Sequence, residues 1–125
     1  MPYLMLDDAY PDHPKVEALS DAAYRLHGAA MFHAARYKLD GYLTVEQLRA
    51  RKRWSSRTEA ELVTALLLHL PGDLCDSPKC PPADGVRYRL HDFLQWNKPR
   101  SWWDAEAARK AKNKADYLAR KAGQS

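Results

Sequence analysis

Short apolar segments at helical spacing, separated by glycine, proline and polar turns, most constrain how this 125-residue chain can fold. The clearest segment runs over residues 62–70, where leucine and valine recur every three or four positions. Such spacing places apolar side chains on one face of a helix, which must then pack against another element. The segment is shorter than the roughly 18 apolar residues that a membrane-spanning helix needs. We therefore expect a small domain of packed helices that does not enter a membrane.

Capping and turn residues delimit four expected helices. They cover residues 20–40, 45–53, 56–70 and 102–121. Thr44 is the expected N-cap of the second helix, and a capping box of Ser56 with Glu59 opens the third. The last helix begins with a looser version of this box, Ser101 with Asp104. On the third helix the spacing turns Leu68 outward.

Two segments have the character of β-strands. Tyr42–Leu43 is a short strand or turn, and residues 85–91 alternate polar and apolar side chains as a half-buried strand does. Two helices joined by a turn and followed by a β-hairpin form a winged helix-turn-helix. The expected fold is mainly α with a small β-hairpin (α+β). A winged-helix domain covers residues 1–100, and a basic C-terminal helix covers residues 101–125.

Positive charge is concentrated in the C-terminal two thirds of the chain. Residues 1–47 hold four Lys and Arg against seven Asp and Glu, whereas residues 48–125 hold sixteen against nine. Such a surface is expected of a protein that binds a polyanion. The alternative is ordinary solvated helix and strand surfaces. The side chains expected to contact DNA, mainly through phosphates, are Arg49, Arg51, Lys52, Arg53, Arg57, Thr58, Arg87, Arg89, Lys98 and Arg100.

Two cysteines and two histidines surround the loop before the expected hairpin strand. Cys75 and Cys80 are separated by four residues, His69 precedes them and His91 follows. Because zinc takes four nitrogen or sulfur ligands in a tetrahedron, these side chains are a candidate zinc site, with Asp73 as a substitute for one histidine. The cysteine spacing is wider than the usual CxxC. The alternative is two free thiols and two histidines that serve the fold.

Three motifs resemble a known group of proteins. The runs His13-Pro-Lys-Val, Leu19-Ser-Asp and His91-Asp-Phe-Leu, in this order, resemble short winged-helix proteins of actinobacterial phages and prophages. These are similar to the N-terminal domains of phage replisome organisers and DnaD-like replication initiators. The resemblance covers about residues 3–100. It implies DNA binding in replication initiation or transcription control, without catalysis.

These features together predict a phage-type winged-helix protein that binds duplex DNA largely through phosphates. The sequence holds no glycine-rich phosphate loop, GxSxG or HExxH motif, so we expect no enzymatic activity. The alternative is a protein-interaction module that binds a host protein, suggested by an outward Leu68 and the pair Trp102–Trp103. Because the first residues lack the pattern of a secretory signal, we expect a cytoplasmic location.

Two further expectations concern partners. The resemblance implies host or phage replication proteins as partners beside double-stranded DNA. The apolar side of the C-terminal helix is expected to dock on the domain or on a second copy in a homodimer. That side comprises Trp102, Trp103, Tyr117 and Leu118.

Overall fold

A computed structural model describes residues 3–123 of the chain. In chain order its elements are α1 (Pro14–Glu17), α2 (Asp21–Arg36), β1 (Tyr42–Leu43), α3 (Val45–Arg49), α4 (Ser56–Thr64), β2 (Leu68–His69), β3 (Tyr88–Leu90), α5 (Phe93–Trp96) and α6 (Arg100–Ala122). A 3₁₀ turn over Tyr10–Asp12 precedes α1. The expected class, mainly α with a small β component, is confirmed. No helix among the described residues is long and apolar enough to cross a membrane.

The three strands form one antiparallel sheet with β3 in the centre. β1 pairs with β3 so that Tyr42 lies opposite Arg89, and β2 pairs with β3 so that Leu68 lies opposite Leu90. The expected β-hairpin is therefore part of a three-stranded sheet. The long connection between β2 and β3 carries both cysteines.

The core lies between α2, α4 and the sheet. Its buried side chains are Ala23, Leu26, Ala30, Met31, Ala34, Ala35, Leu43, Leu48, Leu62, Leu68, Tyr88, Leu90 and Phe93. Gly41 leads into β1 with a φ of +90°, and a Cβ added there would lie 2.8 Å from the Cβ of Phe93. Because only glycine combines this conformation with so close an approach, Gly41 sets how tightly α5 packs against β1.

Hydroxyl side chains cap the two middle helices. At α3, Thr44 and Gln47 form a capping box, which confirms the expected N-cap. At α4, the box consists of Ser55 and Thr58 and not of Ser56 and Glu59. The expected box was wrong by one position because the Glu59 side chain accepts hydrogen bonds from elsewhere in the fold.

Both middle helices are shorter than expected. α3 ends at Arg49, and α4 ends at Thr64. Leu66 takes a φ of +59°, which breaks the helix and turns the chain into β2. The predicted outward position of Leu68 is wrong, because this side chain is 1% exposed in the sheet. An apolar run of this length fits a helix and a buried strand equally well, and pairing with β3 decides between them.

The strand before α5 is also shorter than expected. β3 covers Tyr88–Leu90, and all three of its residues are buried. Val86, which strict alternation places on the same side as Tyr88 and Leu90, is 68% exposed. As the central strand, β3 is covered on both faces, so the polar–apolar alternation does not describe it.

The C-terminal helix contacts the domain through its first turns. The expected box of Ser101 with Asp104 does not form, because Pro99 is the N-cap and provides no side-chain hydrogen bond. Instead the backbone N–H of Arg100 donates to a carboxylate oxygen of Asp40 at 2.6 Å. Trp103 packs edge-on against Tyr3 and Trp102.

The rest of α6 is solvent-exposed. None of its residues is buried, and Tyr117 and Leu118, expected on a docking side, are 54% and 53% exposed. Of the four side chains expected to dock, the structure brings only the two tryptophans against other described residues.

Candidate metal centre

Four side chains with metal-ligand chemistry converge beside the sheet. His69 ends β2, His91 follows β3, and Cys75 and Cys80 lie in the loop between these strands. The ligand atoms of all four lie within 4.8 Å of one another. The structure therefore brings together the four residues that the sequence marked as candidate zinc ligands, as a cluster that could hold a metal ion.

Three sulfur–nitrogen distances within the cluster match a tetrahedral site. His91 Nδ1 lies 2.9 Å from His69 Nε2, 3.3 Å from Cys80 Sγ and 3.6 Å from Cys75 Sγ. Cys80 Sγ lies 3.5 Å from His69 Nε2. Zinc–nitrogen bonds of about 2.0–2.1 Å and zinc–sulfur bonds of about 2.3 Å, at tetrahedral angles, place ligand atoms roughly 3.3–3.8 Å apart. These three sulfur–nitrogen distances fall in this range, and the nitrogen–nitrogen distance of 2.9 Å lies below it.

The register of the sheet positions the two histidines. His69 lies opposite Arg89, and the backbone N–H of His91 donates to the carbonyl of Leu67, which continues the β2–β3 ladder. His69 and His91 are thus diagonal neighbours across an antiparallel pair, where side chains share one face of the sheet. Their ring centroids are 5.0 Å apart.

Asp92 supports two of the candidate ligands. Its backbone N–H donates to Cys80 Sγ at 3.1 Å, and its carboxylate lies 3.3 Å from His91 Nε2. Ser77 Oγ in turn donates to this carboxylate. A carboxylate on the far nitrogen of a ligating histidine fixes the ring and raises its basicity. Asp92 takes a φ of +54°, a rare conformation that lets its N–H and carboxylate serve two ligands at once.

Burial sets the charge of the cluster without metal. It lowers the pKa of His69, and the nearby Arg89 lowers this pKa further. Burial likewise lowers the pKa of His91, while the Asp92 carboxylate opposes this shift. Burial raises the pKa of the Cys80 thiol to about 11. Neutral imidazoles are the form that binds metal, and the thiols would lose their protons as the metal binds.

Asp73 does not belong to the cluster. Its carboxylate accepts a hydrogen bond from the backbone N–H of Leu70 at 3.0 Å and so closes a turn after β2. The sequence named Asp73 as a substitute for one histidine. The structure provides both histidines, and the donor set is two sulfurs and two nitrogens.

The residues predicted to contact DNA divide by exposure. The exposed ones are Arg49, Lys52, Arg53, Arg57, Lys98 and Arg100, the half-buried ones are Arg51 and Arg87, and the buried ones are Thr58 and Arg89. Arg87 forms an ion pair with Asp84 at 2.5 Å and lies over the ring of Tyr42. Most of the predicted set is therefore accessible, and Arg87 is engaged within the fold.

Two of the residues predicted to contact DNA were expected at the surface but are buried. The Thr58 hydroxyl lies inside the cap of α4, where it donates to the carbonyl of Arg53 at 2.8 Å. The Arg89 guanidinium donates to the carbonyls of Pro81 and Asp73 inside the domain. Sequence reasoning placed Arg89 on a solvent-facing strand because the loop that covers this face has no pattern of its own.

Both carboxylates of α4 accept hydrogen bonds from other parts of the fold. Glu59 accepts hydrogen bonds from Trp54 Nε1 and from the hydroxyl of Tyr88. Glu61 accepts from the backbone N–H and the hydroxyl of Ser20, at 3.1 and 2.8 Å. The exposed side chains of the helix are Ser56, Arg57, Ala60 and Thr64. Glu59 thus points into the fold, whereas Glu61 lies at the edge of the exposed face, in the same groove as Arg57.

Two cations that sequence reasoning missed lie beside α4. Lys15 of α1 lines one surface groove together with Arg57, and Arg25 of α2 lines another together with Arg53. Within residues 3–123 none of these four side chains forms an ion pair. Asp21 lines the second groove too. Lys15 and Arg25 belong to the acidic third of the sequence, so only the packing of α1 and α2 against α4 reveals them.

No protein-family model, no curated protein and no solved structure matches this chain.

Proposed function

We propose that this chain is a winged-helix domain that binds duplex DNA through α4 and uses a structural zinc ion to hold its β2–β3 loop. The observation that carries DNA binding is the surface of α4. Within residues 3–123, four cations without an ion pair lie around the exposed face of this helix, and its two carboxylates are engaged in hydrogen bonds. The cations are Lys15, Arg25, Arg53 and Arg57.

The order of the elements supports the winged-helix assignment. A helix, a strand, two helices joined by a turn and two paired strands follow one another from α2 to β3. In a winged helix-turn-helix, the second helix of the turn enters the major groove and the loop between the last two strands forms the wing. These roles fall to α4 and to residues 70–87.

The chemistry of α4 suits a nucleic-acid groove. The small side chains of Ala60 and Thr64 permit close approach, and the hydroxyls of Ser56 and Thr64 can bond with phosphates or base edges. The flanking cations would neutralise phosphates and release counterions, which supplies the sequence-independent part of the affinity.

Charge variants at α4 test this proposal. Changing Arg53 and Arg57 together to Ala should weaken binding to a duplex and reduce the slope of log affinity against log salt by about 2, near 0.9 for each phosphate that is no longer neutralised. The matched control, Arg120→Ala with Lys121→Ala, removes the same charge from the end of α6 and should change the slope less. Fluorescence anisotropy with a labelled duplex measures both.

Two outcomes would overturn the DNA assignment. The native chain could bind no duplex at any salt concentration, which would favour a module that binds a host protein. Alternatively, the affinity of both double variants for the duplex could fall by the same factor, which would show that the interaction is general charge attraction.

The donor set favours zinc as the metal. Two thiolates and two imidazoles in a tetrahedron suit zinc, whereas magnesium and calcium prefer oxygen ligands. Four protein ligands leave no open position for substrate, so the ion would be structural. Bound there, zinc would cross-link a loop that contains no helix or strand. A reducing compartment such as the cytoplasm would keep Cys75 and Cys80 available to it.

The resemblance to phage and prophage proteins indicates the biological process in which the chain would act. Short phage and prophage proteins with these motifs are similar to the N-terminal domains of replisome organisers. We therefore propose replication initiation or transcription control as the process, with replication proteins as further partners and without catalysis.

A further inference from the structure

Arg89 is a buried cation without an acidic partner. It lies in the central strand with 2% exposure, and it forms no ion pair within residues 3–123. Its Nη1 donates to the carbonyl of Pro81 at 3.0 Å, its Nη2 donates to the carbonyl of Asp73, and its Nε has no hydrogen-bond partner. Because an unpaired buried charge is costly, the two carbonyls are important to the folded state.

These two carbonyls belong to the ends of the loop that bears the cysteines. Asp73 lies two residues before Cys75, and Pro81 directly follows Cys80. The planar guanidinium therefore bridges the two ends of a segment that has no helix or strand of its own. Other hydrogen bonds within this region, such as that of the Leu94 N–H to the Lys79 carbonyl, each fix a single position of the loop.

Arg89 also lies beside a third part of the metal centre. In the β2–β3 register it is the direct partner of His69. One side chain thus reaches both ends of the cysteine loop and one histidine.

We propose that Arg89 is a positioning residue for the metal centre. It joins the ends of the loop so that Cys75 and Cys80 face His69 and His91 before the metal arrives. The entropy of closing the loop is then lost during folding and not during metal binding, which strengthens binding. This role rests on the proposed zinc site. Residues that orient metal ligands typically change affinity by about 10–100-fold when they are replaced.

The variant Arg89→Lys tests this role. Lysine keeps the charge but has one nitrogen in place of a planar fork, so it cannot bridge two carbonyls in the same geometry. Competition with a chromophoric chelator should show a zinc Kd raised by about tenfold or more. The control, Arg87→Lys in the same segment, should stay within about twofold of the native chain. An unchanged Kd in Arg89→Lys would overturn the proposal.

A second comparison separates positioning from a general role in folding. The cost of Arg89→Lys in free energy of unfolding is measured in the zinc-saturated native background and in the background Cys75→Ser with Cys80→Ser. If Arg89 is a positioning residue, its substitution should lower the free energy of unfolding more in the zinc-bound background. Equal losses in the two backgrounds would overturn the proposal. If Arg89→Lys is unfolded without metal, we replace the Kd by the zinc concentration that refolds the variant, measured by circular dichroism. A concentration equal to that of the native chain would contradict the role. Absence of zinc binding by the native chain would instead refute the zinc site itself.

Discussion

His27 is buried in the core, where its Nδ1 is hydrogen-bonded to the hydroxyl of Tyr10. Burial lowers the pKa of His27 to about 4, so this imidazole is neutral in the folded chain at pH 7. In the unfolded chain its pKa is near 6.5. Below pH 6.5 the unfolded state therefore binds a proton that the folded state does not bind, and stability falls as the pH decreases towards 4.

The size of this effect is open to measurement. Between pH 7 and pH 5 the free energy of unfolding of the native chain should fall by about 2 kcal/mol because of His27. The variant His27→Asn, which keeps a hydrogen-bonding group near Nδ1, should not show this fall. Urea unfolding at both pH values measures it. Both chains carry Cys75→Ser and Cys80→Ser, so that metal release does not contribute. Equal pH dependence in the two chains would show that His27 is not the titrating group.

At the scale of single residues, the sequence predicted ligands better than it predicted their supports. His69, His91 and the two cysteines were identified because their residue types carry metal chemistry wherever they lie. Asp92 and Arg89 were not assigned to the site, because their roles depend on a left-handed backbone and on a loop that covers the sheet. Supporting residues of this kind have ordinary types, and only the fold reveals what they contact.

At the scale of elements, two single capping residues were predicted correctly, whereas both predicted capping boxes and the tertiary pairing were not. Thr44 starts α3 as expected, and Ser20 caps α2 where the sequence opened a helix. The end of α4 was misplaced because residues 66–69 leave the helix to pair with β3. Apolar spacing reports that a segment is buried, but the neighbour against which it is buried decides between helix and strand.

The exposed C-terminal helix carries its own prediction. A chain that ends after Ala108 keeps Trp102 and Trp103, and the described residues that it loses are all exposed, so its melting temperature should match that of the native chain. A chain that ends after Arg100 also lacks the packing of Trp103 against Tyr3, and it should be less stable by about 1 kcal/mol. Differential scanning calorimetry measures both. An equal drop in stability in the two truncated chains would place stabilising interactions in the distal part of α6.

At the scale of the whole molecule, the metal centre and the proposed DNA surface share one stretch of chain. α4 ends at Thr64, and His69 follows within five residues on β2. A zinc ion bound there would fix the loop 70–87 relative to α4, much as Arg89 holds the ends of that loop without metal. The cluster thus links the element proposed to enter the groove to the element proposed to form the wing.

The metal content of the purified chain tests the central claim, that the two cysteines and two histidines hold zinc. Native mass spectrometry of protein prepared without chelator should show one zinc ion per chain. Cys75→Ser and Cys80→Ser should each remove the ion, whereas His13→Ala, at an exposed histidine outside the cluster, should keep it. A native chain of metal-free mass, or one whose zinc survives both cysteine substitutions, would contradict the account.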